Sequence, residues 1–109
     1  MNVMAQDCHF EVTNAEPSIS DTKVTITVTV VPAFTPTGTG KYEVVIKPQG
    51  QLRNILDSQS KSVYFDYYNG KWYDSSRSKT VKFYCSVDDN TYNQCNSNSF
   101  EVSTCFKKP

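Results

Sequence analysis

Side chains able to take part in catalysis are sparse in this sequence. The single histidine, His9, lies two residues before Glu11, so the two side chains would share one face of an extended strand. A nucleophilic mechanism needs an activated serine, cysteine or threonine beside a base, and the cysteines here are expected to be oxidised. A surface histidine is the commoner role for such a residue. We therefore expect no enzyme.

Two pairs of acidic residues could contribute carboxylates to a site. Asp66 and Asp74 flank an aromatic segment, but strand alternation puts them on opposite faces, so they cannot act on one glycosidic bond. Asp88-Asp89-Asn90 offers oxygen ligands of the kind that calcium prefers. The spacing and the distal glutamate of a calcium loop are missing, and an ordinary Asp/Asn turn explains the run. We predict no metal site and no cofactor.

The four cysteines indicate the cellular compartment. Cys8, Cys85, Cys95 and Cys105 contain no C-x-x-C pair, and one histidine is too few for a zinc site. Two disulfides and an extracellular or periplasmic location are the expectation, with four reduced core thiols as the alternative. Residues 1–6 are interpreted as the remnant of a signal peptide or as an expression leader.

Length and charge limit the remaining classes. A chain of 109 residues is predicted to form a single domain over residues 1–109. Eleven basic and eleven acidic side chains give zero net charge, without the concentrated basic run that nucleic-acid partners usually require. No apolar run approaches the roughly 18 residues that span a bilayer. We predict no nucleic-acid partner and no membrane insertion.

Alternation of apolar and polar residues is the strongest structural pattern. In KVTITVTVV, residues 23–31, valines and isoleucine fall on one face and threonines on the other, as in a half-buried strand. The same period recurs at residues 8–13, 42–47, 81–87 and 100–103, with turn signals at 15–17, 32–40, 48–50 and 88–98. The pattern predicts an all-β antiparallel sandwich of seven to eight strands. Residues 50–57 have helical spacing of leucine and isoleucine, but we interpret them as a strand or loop.

The segment SVYFDYYNGKWYD, residues 62–74, is predicted to be a hairpin. Asn69-Gly70 is the preferred pair for a two-residue type I′ turn, and it pairs Tyr67 with Trp72. Alternation then places Val63, Phe65, Tyr67 and Trp72 on the core side. The tyrosine strip, defined as Tyr64, Tyr68 and Tyr73, shares the other face with Asp66 and Lys71.

The strand pattern resembles the immunoglobulin and fibronectin type III class of sandwich, with an inward Cys85 on a late strand, KFYCSV. The second predicted strand carries no cysteine and Trp72 lies on a hairpin, which departs from a true immunoglobulin domain. A weaker resemblance is to curli-accessory periplasmic proteins, carried by CHFEV, GKYEVVIKPQG and SQS. The resemblance implies a fold only, and no functional residue follows from it.

Strand counting predicts the disulfide pairing. In an up-and-down sandwich, Cys8 at the first strand's start and Cys105 at the last strand's end share a pole only when the number of strands is even. Residues 50–57 and the hairpin bring the count to eight, which favours Cys8 with Cys105 and Cys85 with Cys95. Seven strands would leave Cys105 roughly 20 Å from the others, too far for a bond.

Two functions follow from these residues. The first is a non-catalytic exported binding or accessory module that recognises protein or carbohydrate, either through polar loops or through the hairpin face formed by Tyr64, Asp66, Tyr68, Lys71 and Tyr73. The alternative is a small secreted inhibitor or effector acting through the loop between Cys85 and Cys95. A purely structural role for the tyrosine strip also stays open, because cross-strand aromatic pairs stabilise hairpins.

Overall fold

The computed structural model describes residues 8–56, 59–73 and 77–109. Within these residues the fold is antiparallel β with one short α-helix and three 3₁₀-helices. The strands are β1 (Phe10–Ser20), β2 (Lys23–Pro32), β3 (Gly40–Pro48), β4 (Lys61–Tyr68), β5 (Lys71–Trp72), β6 (Lys79–Ser86) and β7 (Phe100–Lys107), with α1 (Leu52–Ile55) between β3 and β4 and the 3₁₀-helices Val87–Asp89, Thr91–Gln94 and Ser97–Ser99 between β6 and β7.

The strands form two sheets that enclose one core. Sheet A has the order β1-β2-β6, and sheet B has the order β5-β4-β3-β7. Every strand pairing found is antiparallel. The all-β, two-sheet prediction is therefore confirmed.

The core is built mainly from the predicted alternation. Val24, Ile26, Val28 and Val30 of β2 are fully buried, whereas the threonines between them are only partly covered. At one end of the core the ring of Phe10 lies within 6.1 Å of four other aromatic rings, those of Phe34, Tyr42, Phe65 and Trp72. Tilted and edge-on ring pairs of this kind contribute some stabilisation beyond that of the apolar area that the rings bury.

Strand β1 is longer than the sequence pattern predicts. The turn expected at residues 15–17 is wrong, because these residues continue β1 and the chain reverses at Asp21, whose φ is 57°. Pro17 is tolerated since β1 is an edge strand and needs hydrogen bonds on one side only. A register shift between Val12 and Asn14 moves Ala15 to the buried side.

Residues 52–55 form a helical turn, so the prediction of a strand at 50–57 is wrong. Leu52 and Leu56 are buried one turn apart, and Gly50, with a φ of 63°, makes the reversal that precedes the turn. The described residues therefore contain seven strands, not the eight that the pairing argument assumed. Residues 57 and 58 lie outside the described part of the chain.

The first predicted disulfide is nevertheless present. Cys8 and Cys105 are bonded, with their Cα atoms 6.3 Å apart and a sequence separation of 97. The seven strands bring them together because β5 and β6, which are consecutive, run in the same direction when the chain passes from sheet B to sheet A. Simple up-and-down counting assumes a reversal at that point.

A bulge in β7 changes which side chains face the core. The pairing with β3 shifts between Val45 and Ile46, where Ser103 is the extra residue on β7. The Ser103 hydroxyl donates to the Val45 carbonyl at 3.2 Å. Beyond the bulge Cys105 points inward and is 2 % exposed, whereas Phe106 points outward.

Candidate binding face

The hairpin of β4 and β5 positions the tyrosine strip. Asn69 and Gly70 both have positive φ, 56° and 76°, as a type I′ turn requires. Tyr67 pairs with Trp72, and the Tyr73 backbone N–H donates to the Asp66 carbonyl at 2.8 Å. The predicted register is therefore confirmed up to Tyr73, and Asp74 lies outside the described residues.

The two faces of the hairpin differ as predicted. Val63, Phe65 and Trp72 are buried, and Tyr67 is partly buried against Trp72 with ring centroids 5.0 Å apart. The tyrosine strip lies on the outer face of sheet B, where the exposed fractions are 41 % for Tyr64, 39 % for Tyr68 and 60 % for Tyr73.

Tyr68 and Tyr73 form a stacked pair at the end of this face. Their ring centroids are 5.5 Å apart and their planes are inclined by 26°. Lys71, directly opposite Tyr68, is exposed. The pair offers a wide, flat apolar surface edged by phenol groups, with a positive charge next to it.

Tyr64 lies in a more polar setting. Two ammonium groups approach its ring, Lys41 Nζ at 6.0 Å and Lys108 Nζ at 5.8 Å from the centroid. Glu43, opposite Tyr64 on β3, forms an ion pair with Lys108 at 3.5 Å and accepts a hydrogen bond from the Ser62 hydroxyl at 3.4 Å. This carboxylate is therefore neutralised within the face.

Phe106 belongs to the same face, although the sequence pattern did not place it there. Glu43 is paired with Tyr64 on one side and with Phe106 on the other, so the two rings belong to one row across three strands. Phe106 is 44 % exposed. Plain alternation from Phe100 and Val102 would turn Phe106 inward, and only the bulge at Ser103 reverses it.

The five residues predicted as a binding site all lie on this hairpin. Four of them, namely Tyr64, Tyr68, Lys71 and Tyr73, are exposed, and Asp66 is partly buried. Asp66 is paired with Lys41 across the strands. The face combines apolar rings with charged groups of both signs, and it offers no nucleophile next to a base.

The second predicted disulfide is absent. Cys85 and Cys95 are free and partly buried, and the Cys95 thiol donates to the Ala15 carbonyl at 3.7 Å. Three 3₁₀-helices, instead of a plain hairpin loop, carry the chain from Cys85 towards β7, and Tyr92 anchors them in the core. The loop of the inhibitor alternative therefore lacks its tether.

Burial raises the pKa of both free thiols. For Cys85 the negative charge of Asp89 and the nearby Cys95 raise the pKa further. For Cys95 a backbone hydrogen bond partly opposes the effect of burial. Neither thiol is therefore activated as a nucleophile.

The other residues considered for chemistry have structural roles. Asp89 accepts from the Ser86 backbone N–H at 3.3 Å, and the Ser86 hydroxyl accepts from the Asp88 N–H at 3.2 Å. The acidic run, for which the sequence predicts a turn and no metal, therefore caps a 3₁₀-helix. His9 and Glu11 are exposed and 3.1 Å apart. No group of three or more potential metal ligands occurs within residues 8–56, 59–73 and 77–109.

The clefts of the described surface are open and shallow. One, of about 370 Å³, lies between the edges of β1 and β7, with Phe10, Val12, Phe100 and Val102 among its lining residues. Another, of about 230 Å³, is lined by residues at the N-terminal end of α1 and by residues of the 3₁₀-helices. The first cleft also has His9 and Ser97 in its lining, and the His9 ring lies 3.1 Å from the Glu11 carboxylate.

Comparison with known proteins adds no identity. No family model matches this sequence, and no curated protein or solved structure is significantly similar to it. None of the helices in the described ranges is long and apolar enough to span a bilayer. The function must therefore be argued from the surface of the molecule itself.

Proposed function

We propose that this protein is a non-catalytic exported binding module of the immunoglobulin-like class. It recognises protein or carbohydrate through the outer face of sheet B. The observation that carries this proposal is the position of Tyr64, Tyr68, Tyr73 and Phe106, four large rings exposed on one face of one sheet. Interfaces are enriched in tyrosine and phenylalanine because such side chains supply large contact area with few rotatable bonds.

The strand order supports the class. Sheet A follows β1-β2-β6, and in sheet B the last strand joins the third one, which brings a late strand beside an early one as in Greek-key sandwiches. The disulfide between Cys8 and Cys105 supports export to the extracellular space or the periplasm, since such bonds persist in oxidising compartments.

The exposed rings are not needed for the core. The Trp72 side of the hairpin supplies the packing, whereas Tyr68 and Tyr73 contact each other and Tyr64 contacts lysine ammonium groups. Exposed aromatic area of this extent is typical of interaction sites, because a monomer gains little from keeping it in water. The stacked pair at the hairpin end is the natural anchor for a ligand.

The test begins with a glycan array and a pull-down from a surface extract of the source cells. Tyr64→Ala combined with Tyr68→Ala should weaken binding of the captured ligand about tenfold or more, with little change in thermal unfolding. Ile19→Ala is the control, because Ile19 is an exposed apolar residue on sheet A, away from this face. Equal binding by the double variant and the control would reject this face.

A further inference from the structure

A second surface, on sheet A, gathers positive charge around one tyrosine. Tyr84 lies on the outer side of β6 and is 38 % exposed. Lys23 Nζ lies 4.3 Å and Lys61 Nζ 5.5 Å from the centroid of its ring. Lys23 comes from β2 and Lys61 from the first position of β4, so two sheets place their ammonium groups on the same ring.

The positive charge continues along the edge of the sheet. Lys82 lies two residues before Tyr84 on the same outer face of β6, roughly 7 Å away along the strand. Lys79 alternates to the inner side, where its Nζ lies 5.7 Å from the ring of the buried Phe65. Three lysines, namely Lys23, Lys61 and Lys82, therefore surround Tyr84, although the whole chain is neutral.

These lysines are not neutralised locally. None of the described carboxylates forms an ion pair with Lys23, Lys61 or Lys82. Strands β2 and β6 contain no acidic residue. The acidic residues nearest in register are Glu16, two strands from Lys82, and those that flank Lys23 and the end of β6, namely Asp21, Asp88 and Asp89.

We propose that Lys23, Lys61, Lys82 and Tyr84 form a binding site for an acidic polysaccharide. Ammonium groups are compact point charges, and they can each contact one carboxylate or sulfate of a chain without a fixed fork geometry. A row of separated charges matches a linear polyanion better than a single small anion. Tyr84 is a positioning residue, since its ring holds two ammonium groups by cation–π attraction.

A nucleic acid fits this surface less well. Proteins that bind single strands stack bases on open aromatic rings, whereas the Tyr84 ring is already occupied by ammonium groups. The isoelectric point of 6.5 also differs from the strongly basic values typical of nucleic-acid-binding domains. The site is distinct from the tyrosine strip and does not depend on the function proposed for it.

The test uses carboxymethyl dextran, dextran sulfate, uncharged dextran and an oligothymidine as probes. Binding to at least one acidic dextran should weaken as salt rises, and uncharged dextran should not bind. The two acidic dextrans show whether carboxylate or sulfate is preferred. No binding to either, equal binding of uncharged dextran, or tighter binding of the oligothymidine would overturn the proposal.

Variants locate the site. Lys23→Gln combined with Lys61→Gln should weaken binding of the acidic dextran roughly tenfold. Lys47→Gln combined with Lys107→Gln, which removes the same charge from sheet B, should change it less than about twofold. Tyr84→Phe should retain binding and Tyr84→Ala should lose it, with unfolding curves recorded for each. If the two double lysine variants lose the same amount of dextran binding, the loss reflects the overall charge of the protein, and the proposed site is wrong.

Discussion

Both sides of sheet B carry large apolar side chains, but those on the inner side are buried and those on the outer side are exposed. Trp72 and Tyr73 are neighbours in sequence, yet Trp72 is 7 % exposed and Tyr73 is 60 % exposed. Trp72 contacts the rings of Phe10, Phe34, Phe65 and others, whereas the ring contact of Tyr73 is with Tyr68. Cys105 and Phe106 show the same contrast on β7, at the opposite edge of sheet B, where Cys105 is buried and the apolar Phe106 is exposed.

The difference shows that hydrophobicity alone does not decide burial in this molecule. Strand alternation sends every second residue to the outer face, and the bulge at Ser103 resets that alternation in β7. Rings on the inner side contribute to stability through packing. Rings on the outer side contribute little to it, and that makes them available for binding.

The largest expected effect is on the inner side, at the disulfide. Cys8→Ala combined with Cys105→Ala should lower the free energy of unfolding by roughly 4 to 5 kcal/mol, because the bond closes a loop with a sequence separation of 97. Urea unfolding without reductant measures the loss. Cys85→Ala combined with Cys95→Ala is the control and should cost far less, since it breaks no disulfide and removes only the weak hydrogen bond of the Cys95 thiol. Similar costs would place the stabilisation elsewhere.

Trp72 and Tyr73 give the most direct comparison of the two sides. Trp72→Ala should cost roughly 3 to 5 kcal/mol, as large-to-small changes in an aromatic core do, and Tyr73→Ala should cost less than about 1 kcal/mol. Thermal and urea unfolding of the two variants provide the measurement. Comparable losses would assign the tyrosine strip to the folded core and remove the case for a binding face.

The turn that sets the two sides should show a smaller effect. Gly70→Val should cost about 1 to 2 kcal/mol, because a β-branched residue is strained at the φ of 76° found here. Gly38→Val is the control, since no atom lies within 4 Å of its added Cβ and its φ is outside the left-handed region. A neutral Gly70→Val variant would mean that the hairpin register differs from the one described.

The smallest expected effect concerns the reactivity of the two free cysteines, which are partly buried. Because burial raises the pKa of Cys85 and Cys95, alkylation by iodoacetamide should require more alkaline solution than for a free cysteine. Asp89→Asn should shift the Cys85 profile towards lower pH, and Asp88→Asn should not. In the unfolded chain both thiols have their ordinary pKa, which is lower than in the folded protein, so they ionise there at lower pH. The free energy of unfolding should therefore fall as the pH rises from the unfolded-state pKa through the folded-state pKa. Profiles like those of an exposed thiol would contradict the burial.

The parts of the fold that depend on local sequence were predictable. The β2 alternation and the Asn69-Gly70 turn each act within a few residues, and both the buried side of β2 and the facing of Phe65 and Trp72 are confirmed. The five hairpin residues proposed for binding followed from the same alternation. These five residues therefore lie together on one sheet because of the strand alternation and the two-residue turn.

Features that depend on distant parts of the chain were not predictable. Nothing near Pro17 tells that β1 is an edge strand, where a proline is tolerated. The bulge that exposes Phe106 exists only in the pairing of β7 with β3. The lysines around Tyr84 come from three strands that only the fold brings together. Cys85 is free, and the Cys95 thiol instead contacts the carbonyl of Ala15, 80 residues away in sequence.

The position of the disulfide also determines how the molecule would carry a mechanical load. Cys8 precedes the first strand and Cys105 lies near the end of the last one, so the bond joins the two places where tension would enter the domain. Once the last residues of β7 beyond Cys105 have been peeled from β3, pulling on the chain would transmit force through the covalent bond and not through the strand pairing between the two cysteines. The two sheets would stay folded and unextended under tension as long as the bond is oxidised, and reduction would make them the weak point.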